Sequence, residues 1–187
     1  MSVILISGVT GVGLSTICQQ VRRQLDDDYK LINFGDSMLE QAATHGITTD
    51  RDELSSLSQR ETRRLQRRAG EYVADLADEE NILLATHLVV ETEAGYVHGL
   101  PDSVRHDISP TAFVLVEASP ETIIERRSDT DRDLGEATPR AVEFEQDLNR
   151  TAALEYAYDL DAPVQFVENE ANAEAAAGRV AEGLDSV

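Results

Sequence analysis

The stretch that most constrains this chain is "ILISGVTGVGLSTI", residues 4–17. Residues 3–6 form a short apolar run that reads as a buried strand, and a glycine-punctuated segment then leads into Ser15 and Thr16, where a helix opens. Backbone N–H groups converge on a phosphate only where no Cβ intervenes, and the helix that follows adds its positive N-terminal end. Gly8 and Gly13 keep the spacing of the phosphate-loop pattern G-x-x-x-x-G-K-[ST], yet Leu14 stands where that pattern has lysine. Gly8, Val9, Thr10, Gly11, Val12, Gly13, Leu14, Ser15 and Thr16 are therefore the candidate phosphate cradle. The Ser15 hydroxyl is the candidate ligand of a Mg²⁺ that arrives bound to a nucleotide.

Losing the lysine changes energetics more than geometry. Removing one preorganised donor from a transferring phosphoryl group costs about 10²–10³ in kcat, or roughly 3–4 kcal/mol. Binding can survive on backbone N–H groups and metal, but catalysis needs the charge replaced. Arginine is the only abundant candidate, because Lys30 is the sole lysine among 16 basic residues.

The same scarcity of lysine bears on environment. With 36 acidic residues against 16 basic ones, the formal net charge is −20. A field of that sign repels nucleic acid and anionic membranes, so neither is expected as a partner. Such a surface with almost no lysine looks like that of an extreme halophile, in whose molar salt the Debye length shrinks to about 3 Å and self-repulsion is screened. Partial unfolding is expected in dilute buffer. Cys18 stands alone, which leaves no disulfide framework or thiolate zinc site and suits a small buried residue. A basic leader and any long apolar run are missing, so a cytoplasmic protein is expected.

At 187 residues the chain fits one domain with a real core. Residues 3–6, 29–34, 82–85, 112–117 and 163–167 read as strands that alternate with amphipathic helices, which predicts a parallel five-stranded sheet covered on both faces. Leu65, Tyr72, Val73 and Leu76 recur at helical spacing within residues 58–80, and Arg60, Arg63, Arg64, Arg67 and Arg68 crowd the remaining positions as a solvated face. "SDTDRDLGEATPR", residues 128–140, is the candidate mobile segment between two helices. In the alanine-rich tail, Ala173, Ala176, Val180 and Leu184 form one stripe and predict a terminal packing helix. Gly95, Gly99 and Pro101 read as a surface turn with Tyr96 packed on it.

Beyond the loop, "INFGDSMLEQA" (residues 32–42), "DRDEL" (50–54), "THLVVETEAGYVHGLP" (86–101) and "NRTAA" (149–153) occur in the order, and over nearly the whole length, of the archaeal-type adenylate kinases. The chain resembles that family, and the resemblance implies a P-loop NTPase fold with an AMP-binding region near residues 33–60 and a short lid near 128–140. It further implies the reaction ATP + AMP ⇌ 2 ADP with Mg²⁺, and a homotrimer. Carried over by position, Gly8 to Thr16 match the ATP phosphate loop. Asn33, Phe34, Gly35 and Arg51 match the AMP region, and Arg126, Arg132 and Arg150 match lid or lid-flanking arginines that would be catalytic. One departure is that the family's Asp-Thr-His after the third strand reads Ala85-Thr86-His87, which removes an acid that helps hold Mg²⁺ in related kinases.

The reaction itself demands no general base, since the attacking AMP phosphate is already ionised. Catalysis reduces to holding two phosphates in line and neutralising charge, which the arginine fork does well. Two other readings fit the same residues: a nucleotide-binding module whose degenerate loop has lost its chemistry, and a P-loop kinase with another acceptor. His87 sits where ligands bind in open α/β sheets, although a hydrogen-bonded structural role suits it too. Arg126 and Arg127 end a helix and also complement its dipole.

Overall fold

The computed structural model describes residues 1–25, 29–92, 95–129 and 137–184. Its centre is a parallel sheet of β1 (Val3–Ser7), β2 (Tyr29–Asn33), β3 (Asn81–Thr86), β6 (Ala112–Glu117) and β7 (Val164–Glu168), in the order β2-β3-β1-β6-β7. Every residue of β1 is buried, as the middle strand of a sheet covered on both faces must be. The two faces separate by alternation. Val3 and Leu5 pack with Phe34, Val73, Val104 and Tyr156, whereas Ile4 and Ile6 pack with Ile17, Val21, Ile123 and Val180.

The first face is closed by α2 (Phe34–Thr44), α3 (Gln59–Ala77), α4 (Asp102–Ile108) and most of α6 (Pro139–Asp159). On the second lie α1 (Leu14–Gln24), α5 (Pro120–Ser128) and α7 (Ala173–Leu184). Local chemistry sets the ends of these helices. Ser58 and Glu61 form a capping box at the start of α3, and Ser119-Pro120 and Thr138-Pro139 supply an N-cap followed by proline at the first helical position for α5 and α6. The tail helix α7 forms as its alanine stripe predicts, with Ala176, Ala177 and Val180 buried against α1 and the sheet.

Three details depart from the sequence reading. Tyr72, placed on the apolar stripe of α3, is 39% exposed, and the buried stripe runs through Leu65, Gln66, Ala69, Gly70 and Val73 instead. The expected turn around Gly95 is an antiparallel hairpin, β4 (Val89–Thr92) with β5 (Gly95–His98), on which Tyr96 meets Phe144 edge to face at 5.8 Å between ring centroids. A short 3₁₀ turn, Asp52–Ser56, follows Arg51.

Register decides where a site can form. Ser7 pairs with Thr86 and with Leu115, and Ala85 pairs with Ile6 and Asn33, so the carboxyl ends of β1, β2, β3 and β6 finish at one edge. The glycine loop, Asn33, His87 and Glu117 all leave the sheet there, where ligands bind in open α/β folds. None of the helices among the described residues is long and apolar enough to cross a membrane.

Candidate active site

The loop from Gly8 to Thr16 leaves β1 and enters α1 with Gly11 and Gly13 at φ of 89° and 87°. Both are left-handed, a region costly to residues with a Cβ. At Gly13 space is lacking as well, since a Cβ would sit 2.8 Å from the Asn169 amide nitrogen. Ser15 and Thr16 lie exposed in the first turn of α1, so their hydroxyls face outward at the helix's positive end. Leu14 is half-buried and packs its side chain against the apolar cluster of α1 and the second face. The residue in the lysine's place is therefore anchored in the fold.

The outside of the loop is held by side chains. His87 Nδ1 lies 2.8 Å from the Gly8 carbonyl and, because that carbonyl only accepts, carries the proton. Desolvation of the imidazole holds the His87 pKa below its ordinary 6.5, the bond to Gly8 opposes this, and the charge of Arg51 adds to it. Arg127 Nε donates to the Thr10 carbonyl at 2.9 Å while its Nη2 pairs with Glu145 at 2.6 Å. The Val12 carbonyl receives two donors, Arg126 Nη1 at 3.1 Å and Asn169 Nδ2 at 2.8 Å.

Next to the loop, Asn33 ends β2 and caps α2 by accepting from the Asp36 N–H at 3.2 Å. Arg51 reaches the same Asn33 oxygen at 3.5 Å, pairs with the Asp36 carboxylate, and lies over Gly35, where a Cβ would meet Arg51 Nη2 at 2.7 Å. Thus Asn33, Gly35 and Arg51 are brought together. Phe34, named with them, is 2% exposed and packs in the core, which leaves only its backbone for a ligand.

Arg150 stands on α6 with its Nε donating to Glu117 at 2.7 Å and its Nη1 to Asp147 at 2.6 Å. Its neighbour Asn149 is buried and accepts from Ser7 Oγ at 3.1 Å, which pins α6 to the end of β1. Glu117 is 4% exposed, a buried acid whose charge is balanced by Arg150. These bonds lift the Arg150 pKa, the hydrogen bond to Glu117 most. Arg132, together with most of the expected lid, lies outside the described residues.

Can this edge hold Mg-nucleotide? The loop offers glycines where a Cβ would collide with neighbouring protein atoms, and a hydroxyl at a helix start, which fits phosphate and a phosphate-bound cation. At Ala85, where the family's acid would stand, the methyl group is buried against the second face. Two nearby carboxylates, Asp36 and Glu117, are each tied to an arginine. No group of three or more His, Cys, Asp or Glu side chains placed to hold a metal occurs among the described residues. The donor set suits a cation delivered with its nucleotide.

Sequence reasoning missed Glu117, Asn149, Glu170 and Asn169. Glu170 accepts from Ser119 Oγ at 3.0 Å and from Thr122 Oγ1 at 2.8 Å, which fastens the segment after β7 to the start of α5. For Glu117 and Asn169 the available signal was their position, at or just after a strand end on the carboxyl edge of a parallel sheet; Asn149, inside α6, carried none. Cys18 is fully buried and burial pushes its thiol up to about 12, so it is inert packing as expected.

Comparison with known proteins agrees with the fold. A family model described as an AAA domain matches residues 7–142. The chain is 38% identical over 168 residues to an adenylate kinase of Thermococcus onnurineus, covering 89% of this chain and 86% of that protein. It is 36% identical over 173 residues to an adenylate kinase of Methanothermobacter thermautotrophicus, covering 92% of each. Among solved structures it resembles a shikimate kinase from Acinetobacter baumannii (TM-score 0.63, 14% identity, 100% of this chain and 94% of that one) and another from Bacteroides thetaiotaomicron (TM-score 0.60, 15% identity, 98% of each). At those identities the structures speak to the fold alone.

Proposed function

The chain belongs to the adenylate kinase family, within the AAA-domain group of P-loop proteins, and on that premise we propose how its residues divide the work of ATP + AMP ⇌ 2 ADP. Gly8 to Thr16 cradle the ATP phosphates, and Ser15 binds the Mg²⁺ that accompanies them. Asn33, Gly35, the Phe34 backbone and Arg51 hold AMP. Arg132 and Arg150 neutralise the phosphoryl group in transit, while Arg126, expected to join them, donates its Nη groups to the Val12, Asn169 and Glu170 carbonyls and so holds the loop from outside, with residues 33–60 as the AMP-binding region and 128–140 as the lid of a single domain. Mg²⁺, when bound, would add charge neutralisation at the transferring group.

The observation that carries this reading is the convergence at His87. His87, just past β3, lies 2.8 Å from the Gly8 carbonyl, and Asn33, which Arg51 reaches at 3.5 Å, ends the neighbouring strand β2, so the phosphate loop and the Arg51–Asn33 pair lie at one edge of the sheet. Two candidate phosphate sites on one sheet edge suit an in-line transfer between two phosphates. Arg150 already stands beside the edge, locked in a planar fork by Glu117 and Asp147.

The test is ADP formation from Mg²⁺, ATP and AMP in molar KCl, against a no-enzyme control, for wild type and Arg132→Ala. Wild type is expected to turn over, and Arg132→Ala to lose about 10²–10³ in kcat, the usual cost of one preorganised donor. Turnover of Arg132→Ala at the wild-type rate would remove that arginine from the mechanism.

The same reading extends to the chain's surroundings: a cytoplasmic, salt-adapted enzyme of archaeal type that binds neither nucleic acid nor membrane and assembles as a homotrimer. Supporting the assembly, α6 exposes Phe144, Leu154 and Tyr158, the last two at 62% and 91%, and the hairpin adds Val90 and Tyr96. Light scattering should give three times the 20.5 kDa chain mass, and Leu154→Glu should shift it toward one.

A further inference from the structure

Side chains arriving from three other segments bind alternate carbonyls of the loop, at Gly8, Thr10 and Val12. All peptide bonds described are trans, and in a trans peptide the N–H points opposite to the carbonyl before it. Holding those three carbonyls from outside therefore turns the N–H groups of Val9, Gly11 and Gly13 the other way, as a row. Among the described residues, no backbone carbonyl accepts from these three N–H groups.

We propose that Asn169 and Arg127 are positioning residues of the phosphate loop, which fix its N–H row in the phosphate-accepting orientation in a chain whose loop has no lysine to gather the phosphates. The inference rests on the adenylate kinase reading of the same site. Asn169 is the better evidenced of the two. It is 3% exposed, its own N–H donates to the Glu117 carbonyl at 2.7 Å, and its carbonyl accepts from Arg126 Nη2 at 3.0 Å. Backbone and side chain are thus fixed on all sides, with the amide nitrogen aimed at Val12. The Asn169 Oδ1 atom is buried without a hydrogen-bond partner, so the side chain is held in a costly place for the sake of its donor. An amide flip does not relieve this, because it would set Oδ1 against the Val12 carbonyl.

Arg127 shows the same arrangement one peptide pair earlier. Its side chain is 9% exposed and its charge is met by Glu145, so the guanidinium serves as a rigid donor to Thr10. Both residues act through the loop backbone.

The test uses the full chain in molar KCl, with inorganic tripolyphosphate and AMP as calorimetric probes beside ADP formation. Asn169→Leu keeps most of the volume and deletes the donor; Arg127→Lys keeps the charge and loses the Nε geometry. For either variant the expected result is about tenfold weaker tripolyphosphate binding and a similar rise in the KM for ATP, with AMP affinity and KM within twofold of wild type, since a misplaced binding group costs between ten- and a hundredfold. Unchanged tripolyphosphate binding in both folded variants would overturn the proposal. So would parallel losses for tripolyphosphate and AMP, the mark of general loosening. Should Asn169→Leu fail to fold, Arg127→Lys decides alone by the same two readings. If wild type binds tripolyphosphate and forms no ADP, yet a variant binds tripolyphosphate more weakly, the positioning role stands and the assigned reaction falls.

Discussion

Leu14 is the residue at which this chain parts from the standard loop, and its surroundings explain why the change is tolerated. Its side chain lies in the apolar cluster beside α1, while the loop's geometry is kept by donors to Gly8, Thr10 and Val12. Leu14→Lys should therefore cost about 1 kcal/mol of stability through lost partial burial. It should also raise kcat, by less than the 10²–10³ or so of a preorganised ammonium, because nothing around it has been shaped to hold one. A thermal melt and an ADP assay check the two halves. His87 contributes to the pH dependence: its folded pKa lies below the unfolded 6.5, so the unfolded chain binds its proton first as pH falls. The His87 contribution is fully present above pH 6.5 and is lost as pH drops through the folded value, and protonation places a second cation beside Arg51. An NMR titration should show the His87 midpoint below 6.5, and His87→Gln should flatten the acid limb of the stability curve. The loop itself was legible in the sequence, since glycine spacing after an apolar strand is local information. Its carbonyl clamps were not, because Asn169 lies 157 residues from Val12.

Among the elements, the five sheet strands and the helices α3 and α7 followed from apolar periodicity, and what escaped was how they pack. Gly70 lies where α3 crosses α4, and a Cβ there would come within 2.6 Å of Val104 Cγ1. Gly70→Ala should destabilise by about 1–2 kcal/mol, the overpacking penalty less the helix-propensity gain. That lowers Tm by about 3–6 °C in a chain of this size. ATP affinity should be untouched, because α3 and α4 meet away from the loop; a melt with and without ATP checks both statements. The hairpin β4–β5 was missed for a related reason. Its exposed residues Val90 and Tyr96 carry little one-sided patterning, and it is held by contacts distant in sequence, Tyr96 with Phe144 and His98 with Tyr156.

For the molecule as a whole, the net charge works against the packing. A net charge of −20 opposes compaction in dilute solution, and molar salt shortens the reach of that repulsion to about 3 Å. The melting temperature should rise steeply between low salt and molar KCl and then level off, and circular dichroism in dilute buffer should show partial loss of structure. A melt that is flat across KCl concentration would contradict the salt-adapted reading. The sequence by itself determined the parallel sheet, the phosphate loop, the order of family segments and the acidic surface, because each is written in local spacing or in composition. Only the tertiary structure decided that Arg126, Arg127, Asn169 and His87 converge on the outside of one loop, that Phe34 is core, and that Glu117 is the buried partner of Arg150. Those contacts join residues far apart in the chain, and they exist only once strand order and register have brought the carboxyl ends of the strands to one edge.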